Sequence, residues 1–152
     1  MPELPSVSMS AEQYDIIQNL SNISRSLFPT MKDLVIFAAI LGFSEGRKTS
    51  FTSKTKDPIK GHTFERYQDD DIIFWIALGE TKDPSILQPN REKECVEIFE
   101  EYACGGIEII EGWCNKNALL SKEQAIISEL QKKGYFPLNE KDKAPDLSDV
   151  EL

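Results

Sequence analysis

The sequence predicts a mainly α fold, a single compact bundle of about five to six helices, with a long basic loop or short β-hairpin between the second and third helices. Three observations carry that expectation. Apolar residues recur at three- and four-residue spacing along most of the chain. Good helix-start residues stand ahead of the periodic stretches at Ser10, Thr30 and Ser121. The 152 residues, 40% hydrophobic and 28% charged, suit one globular domain with a real core. The domain is expected over residues 10–138, after a flexible N-terminus at 1–9 and before an acidic disordered tail at 139–152.

Ser10 and Gln13 have the spacing of a capping box. The helix they open presents Tyr14, Ile17, Leu20 and Ile23 on one side and Gln18, Asn22 and Arg25 on the other. Leu27, Phe28 and Pro29 then form an elbow, and Thr30 caps a second helix with Asp33 in its first turn. That helix, 31–41, is apolar nearly all round, which implies burial on several sides. A buried parallel strand is the competing assignment, and Ala38, Ala39 and the Thr30 cap favour the helix. Gly42 is placed as its left-handed stop. Residues 44–67 read as a long polar loop that is functional or mobile.

Asp69, Asp70 and Asp71 are expected to cap a third helix containing Ile72, Ile73, Phe74, Trp75, Ile76, Ala77 and Leu78. Phe37 and Trp75 are expected to be nearly buried, with 34–41 and 72–78 packed centrally. Pro84 and Pro89 break the connector that follows. A fourth helix, 91–103, has Cys95, Val96, Ile98, Phe99 and Tyr102 on its apolar side, and Gly105 and Gly106 are expected to interrupt it. A fifth helix follows around Ile107, Ile110 and Cys114. Ser121 with Gln124 opens the last, which ends at Lys132, Lys133 and Gly134, with Tyr135, Phe136 and Pro137 folding back.

The chain carries formal charge -9, with a sequence pI near 4.7, which argues against a protein that coats nucleic acid with its whole surface. Against that background 47–66 is locally basic: Arg47, Lys48, Lys54, Lys56, Lys60 and Arg66 face only Asp57 and Glu65. These six cations are the candidate contact for nucleic acid or a protein partner. Arg47 and Arg66 are the preferred anchors, because a guanidinium grips phosphate or carboxylate with two donors. Glu94, Glu97 and Glu101 are the candidate acidic docking face for a basic partner.

No catalytic constellation stands out. Gly46-Arg47-Lys48-Thr49 lacks the spacing of a P-loop and follows a helix rather than a strand. His62 is the only histidine, with no nucleophile fixed beside it. Three consecutive aspartates on one turn point in different directions, which suits capping better than metal binding. Cys95, Cys104 and Cys114 lack zinc-site spacing and read as small core residues of a reducing compartment. No cofactor and no metal is therefore expected. The longest apolar run, 34–41, is too short to span a membrane, and the start of the chain lacks an apolar signal run; the expected location is cytoplasmic.

Thr30-Met31-Lys32-Asp33, Leu41-Gly42-Phe43 and Gly46-Arg47-Lys48 resemble the opening of the small bacterial proteins called DNA phosphorothioation-associated protein, fourth type, also described as dnd system-associated. Ile76-Ala77-Leu78, Glu100-Glu101-Tyr102-Ala103 and Gly105-Gly106-Ile107 are similar as well. Lys48 stands where a second arginine is expected, and Cys104 where a polar residue is expected. The resemblance spans about 14–113. It implies an accessory protein of a DNA-modification or restriction system directed against foreign DNA, with no catalytic activity attached. The expected function is a non-enzymatic accessory subunit. It would dock on a larger nuclease, helicase or ATPase, with the 44–67 loop facing DNA or another subunit. The alternatives are a self-standing nucleic-acid-binding sensor and a cryptic metal-dependent nuclease using Asp69, Asp70 or Asp71 with His62.

Overall fold

The computed structural model describes residues 4–23 and 27–134. Among them are six α-helices: α1 (Tyr14–Ile23), α2 (Met31–Glu45), α3 (Gly61–Arg66), α4 (Asp70–Thr81), α5 (Glu92–Lys116) and α6 (Lys122–Lys132). The architecture is mainly α, as the periodicity requires. Arg25, the fold-back at 135–137 and the acidic tail at 139–152 lie outside the described residues. The chain divides into two compact units, Met1–Gly112 and Trp113–Leu152.

In the first unit α2 is central. Thr30 accepts from the Asp33 amide while the Asp33 carboxylate accepts from the Thr30 amide, a closed capping box. Leu34, Val35, Ala38, Ala39 and Leu41 are buried, and α1 packs against this helix with Ile17 and Leu20 inward. Gly42 does not end α2. The helix continues to Glu45, and Gly46 is the left-handed cap at φ 69°.

Gly105 and Gly106 do not interrupt a helix either, and the expected fourth and fifth helices are one, α5. The glycines are there for close approach. A Cβ on Gly106 would lie 1.7 Å from the Ala38 carbonyl oxygen, and one on Gly42 2.1 Å from that of Tyr102. These two contacts pair Ala38 with Gly106 and Gly42 with Tyr102, so α2 and α5 cross antiparallel with their backbones touching.

α4 runs parallel to α2. The Lys32 ammonium meets the Asp69 carboxylate at one end of the pair, and Phe43 packs on Gly79 at the other. Asp69 stands at the start of α4 but makes no side-chain cap. Its carboxylate goes to Lys32, a buried ammonium that needs a counter-charge more than an exposed helix end does.

The 44–67 stretch forms no hairpin of its own. Residues 53–59 pair instead with the N-terminal segment through isolated antiparallel bridges, Val7 with Ile59 and Ser10 with Lys54. Leu4, Val7 and Met9 of the expected lead-in are buried. Ser10 joins this ladder and makes no side-chain cap, and a 3-10 turn at Ala11–Gln13 leads into α1. Phe64 of α3 is fully buried edge-on to Phe99, with ring centroids 5.9 Å apart.

In the second unit the Ser121 hydroxyl accepts from the Gln124 amide to start α6, which buries Ala125, Ile126 and Leu130. Glu129, also buried, is held by Lys116 at 3.1 Å and Lys132 at 3.6 Å, and these ammonium groups lower its carboxyl below the usual range. Gly134 adopts φ 80° just past the helix.

Candidate functional site

The six basic residues of 47–66 divide into two groups. Arg47 donates to Glu108 of α5 at 3.1 Å, Lys48 reaches Glu80 of α4 at 3.3 Å, and Lys54 lies 3.7 Å from Glu100 of α5. Lys56, Lys60 and Arg66 are exposed and have no ion pair among the described residues. The acidic face is similarly engaged. Glu94 takes two hydrogen bonds from the Arg91 guanidinium, at 3.2 and 2.8 Å, and Glu101 accepts from Ser50 at 2.6 Å. Glu97 alone of the three stands exposed without such a contact among the described residues. Loop and acidic helix thus lie against each other, and half of the basic charge is already compensated.

Glu100 locks this arrangement. It is buried, which pushes its carboxyl above the ordinary range. The Ser8 amide donates to it and Lys54 lies beside it, both opposing that shift. Nearby, Tyr102 donates to Glu80; burial and that carboxylate push its hydroxyl up to about 12.

Two surface concavities lie along the α2/α4 pair. The first is at the N-terminal ends of both helices, a cleft of about 690 Å³. Met31 and Ile59 supply apolar surface, and Thr30, Thr63, His62 and Arg66 supply polar groups. Tyr67 stands here 61% exposed, with the Lys32 ammonium 4.3 Å and the Arg66 guanidinium 5.7 Å from its ring centroid. The second is an apolar groove of about 500 Å³ between Ile40 and Phe43 of α2 and Ile72, Trp75, Ile76 and Gly79 of α4. Trp75 is 69% exposed within it.

This corrects the expectation that Trp75 and Phe37 are nearly buried; Phe37 is half-buried against Phe28. The cause is angular. Ile73, Ile76 and Ala77 form the inward stripe of α4, and Trp75 stands about 200° round the helix from Ile73. A helix that is apolar all round offers two greasy faces, and only one is covered by the core. Neither Trp75 nor Tyr67 stood among the candidate residues read from the sequence. The available signals were the 72/75/79 spacing of the outer stripe and an aromatic residue directly after Arg66.

Cys95 and Cys104 are buried, and burial raises both thiols, that of Cys104 to about 11, so neither is poised as a thiolate. Among the described residues no three His, Cys, Asp or Glu side chains converge on a metal-sized space. Nor is any helix among them long and apolar enough to cross a membrane.

Residues 6–150 match the family described as DNA sulphur modification system-associated protein 4. The chain belongs to that family. The match spans both units and agrees with the dnd-associated resemblance carried by the Thr30, Gly42 and Gly105 motifs. The family description ties the protein to a DNA sulphur modification system. No curated protein and no solved structure matches the chain.

Proposed function

We propose that this family member is a non-enzymatic, cytoplasmic accessory subunit of a DNA sulphur modification and restriction system that defends against foreign DNA. It docks through the α2/α4 groove onto a larger nuclease, helicase or ATPase component. The observation that carries this reading is Trp75, a large side chain left 69% exposed in the middle of an apolar groove. Exposed tryptophans surrounded by apolar side chains are the usual anchors of protein interfaces.

The occupant that fits is an amphipathic helix of the partner with basic residues beside its apolar stripe. Two parallel helices leave a straight furrow suited to a third. Asp71, exposed, precedes Trp75 by one turn, and the chain is acidic overall. Intrinsic fluorescence tests this against the purified larger components of the system, taken in turn. With Trp113 replaced by phenylalanine in the chain and the component's own emission subtracted, the docking component should shift the Trp75 emission to the blue and shield it from acrylamide. A component that binds and leaves both unchanged overturns the groove assignment.

Lys56, Lys60 and Arg66 favour a second reading, in which the protein also contacts nucleic acid. Arg47, Lys48 and Lys54, which already face carboxylates, contribute less to it.

A further inference from the structure

The cleft at the N-terminal ends of α2 and α4 has a chemistry that the docking reading does not use. Its carboxylates are already taken. Asp69 is bound to Lys32, and Asp33 accepts from the Thr30 amide and hydroxyl at 3.1 and 2.7 Å. Arg66 is the cation of the cleft without an ion pair among the described residues, so the cleft has an uncommitted positive charge beside an exposed aromatic face.

The backbone fixes that pairing. α3 ends in a Schellman turn: the Asp69 amide donates to the Phe64 carbonyl at 2.8 Å and the Gln68 amide to that of Glu65 at 3.1 Å. The left-handed position in this turn belongs to Gln68 at φ 60°, where glycine is the unstrained choice. The turn places Arg66 and Tyr67 consecutively at the mouth of the cleft. The buried Lys32 ammonium lies 4.3 Å from the Tyr67 ring centroid and holds the ring by a cation–π contact.

We propose that this cleft binds an unpaired nucleotide, its base stacked on Tyr67 and its phosphate gripped by Arg66. A largely exposed ring with an adjacent guanidinium is the pairing by which proteins hold unstacked bases. The volume of about 690 Å³ is that of a small-molecule site. Lys56 and Lys60, exposed on the approach to α3, extend the positive surface for a continuing strand. This deepens the nucleic-acid reading above and is independent of the docking groove. Variants at Trp75 test the groove, and variants at Tyr67 and Arg66 test the cleft.

The experiment is fluorescence anisotropy of the full chain at low salt with a labelled single-stranded oligo-dT, the matching duplex, and AMP and inorganic phosphate as competitors. The single strand should bind more tightly than the duplex. Tyr67→Ala should weaken binding about tenfold, with Tyr67→Phe restoring it. Arg66→Gln, at an exposed position, should weaken binding and reduce the logarithmic salt slope by about 0.7. Displacement by AMP at concentrations where phosphate fails identifies a free nucleotide as the ligand. Displacement by the oligonucleotide alone identifies a strand. The absence of binding to either, or binding that Tyr67→Ala leaves unchanged at an unaltered melting temperature, overturns the proposal.

Discussion

Replacing Gly106 by alanine tests the close crossing of α2 and α5. The new methyl carbon would sit 1.7 Å from the Ala38 carbonyl oxygen, 2.5 Å from its carbon and 2.8 Å from the Ala38 Cα. An ordinary contact needs about 3.5 Å, so α2 and α5 would have to part by about 2 Å. The obstacle is backbone and cannot rotate away, which puts the cost at the upper end of overpacking, about 3 kcal/mol. Alanine recovers about 1 kcal/mol of helix propensity, leaving a net loss of about 2 kcal/mol. For a chain of this size the melting temperature should fall by about 4–8 °C. Gly112 is the internal control. It lies in the same helix, and a Cβ there meets nothing within 4 Å. Gly112→Ala should therefore raise the melting temperature by about 2–4 °C. Calorimetry of the two variants gives the answer. A Gly106→Ala protein as stable as the parent, or two variants that shift in the same direction, would refute the close-packing argument.

Three further outcomes follow from the same geometry. Gln68→Gly removes the left-handed strain and should stabilise the fold by up to about 1 kcal/mol, read from chemical denaturation; a loss of stability would mean that the Gln68 side chain contributes more than its backbone costs. Glu100 has a carboxyl raised by burial above its ordinary value of 4.5, so its contribution to stability is fully present below that value and is lost as pH rises through the folded one. The stability of Glu100→Gln relative to the parent should therefore improve as pH rises above 4.5, and a flat or opposite trend would contradict the burial argument. The amides of Val7, Thr55 and Ile59, which donate across the bridged segments at 2.8, 3.0 and 2.8 Å, should exchange slowly by mass spectrometry; exchange as fast as in a free peptide would show that the N-terminal segment does not hold the loop.

Capping chemistry made much of this fold legible. Thr30 with Asp33 and Ser121 with Gln124 mark the starts of α2 and α6 because a side chain that satisfies orphan amides is a local property. The N-terminal segment was harder to read. Its partners lie about fifty residues away, and the pairing shows only when Val7 and Ile59 meet. Gly105 and Gly106 are ambiguous in one dimension, since glycine serves equally to stop a helix and to let two helices touch. Of the candidate site, the excess of charge in 47–66 was visible, but not its neutralisation by Glu80, Glu100 and Glu108, which depends on how α4 and α5 are packed. Trp75 was misplaced because periodicity cannot separate a face covered by the core from one left open for a partner.

Co-expression of the chain with the other components of its DNA sulphur modification system, comparing the parent with Trp75→Ser, tests the docking claim most directly. Trp75 is too exposed for its loss to alter folding much, so circular dichroism and melting temperature should match the parent. An interface anchor of this kind carries about 2 kcal/mol or more, equivalent to roughly thirtyfold in affinity. The account predicts that one larger component co-purifies stoichiometrically with the parent and is lost from the variant. A parent chain that purifies alone, or a component recovered equally with both, would contradict it.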